Sequence, residues 1–79
     1  TMKNNETTNW DLLLSRRQNQ ATMKRFATGQ LTTTAVTKRF QNTEYAGEFR
    51  RLIRNNGTTY ARRLARKALR YRGILQPSS

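Results

Sequence analysis

From Phe49 to Ser79 the chain carries nine Arg or Lys residues and not one Asp or Glu. Beyond the first turn of this stretch no acid is near enough in sequence to balance the cations by i to i+4 pairing, so the fold must turn them toward solvent, a distant acid or an anionic partner. The four carboxylates of the 79-residue chain, Glu6, Asp11, Glu44 and Glu48, all precede that stretch, and sixteen Arg and Lys leave a formal charge of +12. Charge of that size repels itself in a compact body and favours a polyanionic partner. With only 34% hydrophobic residues, the chain has material for one small domain with a modest core.

Helical spacing organises the acid-free half. Thr43 is placed to cap a helix running to about Asn56, in which Tyr45, Ala46, Phe49, Leu52 and Ile53 recur on one side while Arg50, Arg51 and Arg54 fall off it. Asn55-Asn56-Gly57 stops that helix. Thr58 or Thr59 then caps a second one, Tyr60 to Arg72, which Gly73 ends, leaving Ile74 and Leu75 to fold back and Pro77 beyond. Two helices joined by about four residues make an αα-hairpin. At about 100° per residue, Tyr60, Ala61, Leu64, Ala65, Ala68, Leu69 and Tyr71 take one half of the last helix and Arg62, Arg63, Arg66, Lys67 and Arg70 the other, with Arg72 inside the apolar arc at the end.

The first half reads less sharply. Residues 1 to 8 form a polar arm, and Asn9 is a plausible N-cap for a helix starting at Trp10, with Asp11 favourably placed in its first turn. Trp10, Leu13 and Leu14 make one apolar set; Met23, Phe26 and Ala27 make a second before Gly29, a natural stop. One helix or two, broken near Gln18 to Gln20, fit equally. From Thr32 to Phe40 the chain is Thr-rich and β-branched, with Thr34, Val36, Lys38 and Phe40 alternating weakly, and reads as an extended connector in which a short strand or helical turn is possible. The expected architecture is a mostly α small helical protein: residues 1–41 supply the polar arm, N-terminal helix and connector, and residues 42–79 the basic helical hairpin.

Catalysis is not expected. Cys and His are both absent, which removes thiolate and imidazole nucleophiles, zinc sites and disulfides. Glu44 and Glu48 share a helix face and read as exposed charge balance for neighbouring Arg. No Gly-rich phosphate loop, metal site, cofactor or small-molecule substrate is expected, and the longest apolar run, Leu12 to Leu14, is far below the eighteen or so residues of a membrane span. The chain opens on Thr1, which fits removal of an N-terminal segment and fits initiation at Met2 equally well.

The cations point to nucleic acid. Arg outnumbers Lys twelve to four, and a planar guanidinium binds phosphate bidentately and stacks on bases, whereas an ammonium is a point charge. Candidate RNA-binding residues are Arg50, Arg51, Arg54, Arg62, Arg63, Arg66, Lys67, Arg70 and Arg72, with Tyr60 and Tyr71 at the border of the basic face as stacking partners. Phe26 and Phe49 are expected in the core. Replacing Arg62, Arg66 and Arg70 together with Gln is expected to weaken RNA binding and flatten its salt dependence. Ala65 and Ala68 make a shallow apolar face suited to helix packing rather than to lipid.

The run Arg63-Leu64-Ala65-Arg66-Lys67-Ala68-Leu69-Arg70-Tyr71-Arg72-Gly73-Ile74-Leu75-Gln76-Pro77 resembles the closing helix of the bacterial-type small-subunit ribosomal protein eighteen family. There a basic Leu-Ala-Arg helix leads through Ala-Ile-Lys-Arg-Ala-Arg to a Gly-Leu-Leu-Pro stop. Thr28-Gly29-Gln30-Leu31 is similar to that family's Thr-Gly-Lys-Ile turn, and Thr32-Thr33-Thr34 stands where the family has Pro-Arg-Arg. The resemblance implies a structural component of a ribosome, in a mitochondrion or in the cytoplasm, packed on ribosomal RNA beside neighbouring ribosomal proteins. The alternative reading is a small helix-turn-helix-like DNA-binding regulator, whose recognition helix would offer Asn, Gln, Ser or Thr to base edges.

Overall fold

The computed structural model describes residues 8–76, folded as five α-helices: α1 Trp10–Leu13, α2 Arg17–Ala27, α3 Thr33–Phe40, α4 Tyr45–Asn56 and α5 Thr58–Tyr71. The mostly helical expectation holds, and the C-terminal pair is the expected hairpin. Of the polar arm only Thr8 is among the described residues; the rest of it, like Pro77, lies outside them.

Asn9 does cap α1, its side chain accepting from the Leu12 N–H. The chain breaks at Leu14 to Arg16, a few residues before the expected place, and the Gln20 side chain ties the break to α2 by donating to the Leu14 carbonyl at 2.9 Å. α2 and α5 end alike. Past each last turn a glycine takes positive φ, Gly29 at 85° and Gly73 at 74°, and the following amides return to the helix: Gln30 and Leu31 to the Arg25 carbonyl, Ile74 and Leu75 to that of Leu69. Ile74 and Leu75 thereby pack on the core as expected.

The connector expected from Thr32 to Phe40 is instead α3. Thr32 caps it, accepting from the Ala35 N–H at 3.1 Å. Val36 and Phe40 stand four apart, a spacing that shares one face in a helix and in a strand alike, so β-branched neighbours tipped the sequence reading toward extended chain. Burial decides for the helix, because Val36 and Phe40 are both buried against the other helices.

The turn between α4 and α5 is one residue, not four. Gly57 lies at φ 80°, ψ 161°, a region open essentially to glycine alone. Neither Thr58 nor Thr59 caps α5, since both lie within it. At the start of α4, Thr43 Oγ1 accepts from the Tyr45 N–H and donates to the Phe40 carbonyl, although the cap position itself is Glu44.

Three rings centre the core. Phe49 meets Phe26 edge-on at 5.2 Å between centroids and Phe40 at 5.9 Å, all three at most 2% exposed. Leu13, Met23, Leu52 and Leu69 surround them, and Ala61 and Ala65, both fully buried, let α5 approach α2 closely. The hairpin is therefore no independent unit, because its last helix packs chiefly on α2. Glu48, expected to be exposed, is buried: its Oε2 accepts from the Asn9 N–H at 3.0 Å, joining α1 to α4, while Oε1 faces Arg51.

Candidate nucleic-acid interface

The expected basic face of α5 divides in two. Arg62 and Arg66 turn inward over the C-terminal end of α2: Arg62 donates through Nε to the Phe26 carbonyl at 2.9 Å and through Nη2 to that of Leu31 at 3.0 Å, and Arg66 donates through Nη1 to the Ala27 carbonyl at 2.9 Å. The Arg62 guanidinium also lies 4.8 Å over the Phe26 ring. The last carbonyls of a helix have no intrahelical donor and carry the negative end of its dipole, so these cations are held by the protein itself. A helical wheel of α5 alone cannot show this, because the acceptors lie at the end of α2 and in the segment just after it.

Arg62→Gln with Arg66→Gln should therefore act on stability. Charge-assisted bonds at a partly exposed site contribute about 1 kcal/mol each after solvent screening, so losing the three bonds should lower Tm by about 15 °C in a domain of this size. Circular-dichroism melting checks it; an unchanged Tm would mean that the carbonyl bonds contribute nothing.

Arg63, Lys67 and Arg70 remain outward, all exposed and without a partner among the described residues. With Tyr60, Leu64 and Arg66 they line a shallow groove of about 300 Å³. Their i, i+4, i+7 spacing sets them along about 10 Å of one helix face. Beside it, sharing Leu64 and Lys67, runs an apolar groove of about 250 Å³ lined also by Trp10, Ala68, Tyr71 and Arg72. Tyr60 is 41% and Tyr71 87% exposed, so both rings offer a free face at the edge of the basic stripe. Arg72 itself is engaged, donating to Asp11 Oδ1 at 2.8 Å and to the Ala68 carbonyl.

The cations of α4 stand apart from this stripe. Arg51 pairs with Glu48 at 3.8 Å; Arg50 and Arg54 are exposed. Arg50 lines a groove of about 380 Å³ between α3 and α4 with Thr34, Thr37, Lys38, Gln41, Asn42 and Ala46, which shares no residue with the α5 groove. Thr34, Thr37, Lys38, Gln41 and Asn42 escape a reading of the sequence as site residues because the Thr-rich composition of α3 reads as a connector. The capping position of Thr32 was the signal that would have revealed the helix.

Among the described residues no cluster of carboxylates is placed to hold a metal, and no helix is long and apolar enough to cross a membrane. Compared with family models, curated proteins and solved structures, the chain finds no match in any of the three.

Proposed function

We propose that this is a non-enzymatic RNA-binding protein that seats on structured RNA as a component of a ribonucleoprotein, through the outward stripe of α5. The observation that carries this is the set Arg63, Lys67 and Arg70, exposed and unpaired within the protein, beside the exposed rings of Tyr60 and Tyr71. Guanidinium and ammonium groups hold phosphates, and free aromatic faces stack on unpaired bases, which loops and bulges of RNA offer and a closed duplex does not. The stripe carries no Asn, Gln, Ser or Thr, so it grips by charge and shape rather than by base sequence. The resemblance of Arg63 to Pro77 to the ribosomal family supports a ribosome as the particle and ribosomal RNA as the partner.

A second reading has its own observation. α3 and α4 are joined by four residues, Gln41 to Glu44, with Asn42 at a left-handed φ of 65°, the connection of a helix-turn-helix, and the groove between them displays hydroxyl and amide side chains. In this reading the recognition helix would be α4 rather than the terminal helix. Against it, the exposed start of α4 carries Glu44 at its cap position and Gly47 in its first turn, whereas α5 has no acid.

Competition binding at physiological salt separates the two. A looped RNA should displace a labelled looped RNA well before duplex DNA does, and co-sedimentation should place the protein with ribosomal subunits. Preferential displacement by duplex DNA would favour the α3–α4 reading and overturn the first.

A further inference from the structure

A second trough lies between α2, α3 and the start of α4. Two adjoining hollows of about 410 and 440 Å³ share Gln18, Asn19, Arg39 and Phe40, so they form one continuous depression. Arg25 stands at one end and Arg16 at the other, where its Nε donates to the Tyr45 hydroxyl at 2.9 Å. Asn19 lies in its floor, 6% exposed, and its Nδ2 has no hydrogen-bond partner.

A buried amide donor without an acceptor costs roughly 1–3 kcal/mol, and native proteins rarely leave one so. Around it Arg25 and Arg39 are exposed and unpaired among the described residues, and the one carboxylate on the rim, Glu44, sits at the far end. The unmet groups are all donors and cations. Their common complement is an anion rich in acceptor oxygens, and phosphate supplies several to guanidinium and amide together.

We propose that this trough is a second phosphate site that takes the backbone of a different RNA segment from the one on α5, so that one molecule ties two segments together. The inference rests on the RNA reading above, but the two surfaces share no residue and fail separately.

The test follows the Asn19 side-chain amide in nitrogen-15-labelled full chain by NMR, with a short single-stranded RNA, inorganic phosphate and poly-glutamate as probes. RNA should shift that amide in the wild type and equally in Arg63→Gln/Lys67→Gln/Arg70→Gln, and should no longer do so in Arg25→Gln/Arg39→Gln. The latter pair should also reduce the logarithmic salt slope of RNA binding by about 1.4, the equivalent of two single-strand phosphates. In a sandwich assay, immobilised RNA should capture a second labelled RNA through the wild type, and either variant should lose at least about tenfold of that capture, a difference of about 1.4 kcal/mol. An amide that stays still with RNA overturns the trough while leaving α5 untouched. An equal shift from inorganic phosphate at matched phosphate concentration, or a shift from poly-glutamate alone, overturns its assignment to RNA backbone. Unchanged affinity in the α5 variant with a moving Asn19 amide would keep the trough and overturn the α5 reading.

Discussion

Replacing Arg63, Lys67 and Arg70 together with Gln is expected to lower affinity for a looped RNA by on the order of a hundredfold at low salt and to flatten its logarithmic salt slope by about 2, with Tm unchanged. Each cation released from a single-stranded phosphate removes about 0.7 from that slope, and three charge-assisted contacts at about 1 kcal/mol each give the hundredfold. Stability should hold because none of the three makes a bond inside the described protein. Filter binding across a salt series, with a thermal melt of the same sample, measures both quantities. The triple chosen on sequence alone, Arg62, Arg66 and Arg70, would confound them, since two of its members hold the end of α2. A variant that melts normally and binds with the wild-type slope would remove α5 as the interface.

Phe49→Ala is expected to leave the chain only marginally folded in dilute buffer at 25 °C, with a sizeable unfolded fraction. Truncating a buried Phe costs about 3–5 kcal/mol, and Phe49 is the ring that touches both Phe26 and Phe40. A domain of this size is stable by about 5 kcal/mol, and a formal charge of +12 works against compaction. Helical circular dichroism and Tm should therefore both fall in the variant, and added RNA should restore part of the loss, because a ligand that binds only the folded state pulls the equilibrium toward it. A variant retaining wild-type ellipticity would show that the three-ring cluster is not the centre of stability.

What could be read before folding follows from the range of each interaction. α4 and α5 were legible because their apolar residues recur at helical spacing over three or more turns and Gly57 and Gly73 punctuate them. α3 was not: eight residues, three of them Thr, carry too little periodicity to outweigh β-branched composition, and it is packing of Val36 and Phe40 on the other helices that makes it helical. At the site, the outward placement of Arg63, Lys67 and Arg70 and the exposure of Tyr60 and Tyr71 were within reach of a helical wheel. The inward turn of Arg62 and Arg66 was not, because its acceptors are backbone carbonyls more than thirty residues away in the chain. Burial of Glu48 was hidden likewise, since its partner is the main chain of Asn9.

Gly57 has a mechanical consequence. Its N–H reaches back to the Ile53 carbonyl while its own carbonyl receives the Ala61 N–H, so the hydrogen-bond ladder of one helix hands over to the next with no slack chain between. The pair should move as a bent rod rather than as two arms on a hinge, so on the RNA reading the angle at which α5 presents its stripe would not adjust to the partner. Adaptation would then fall to the nucleic acid, which would have to bring loops already spaced to fit.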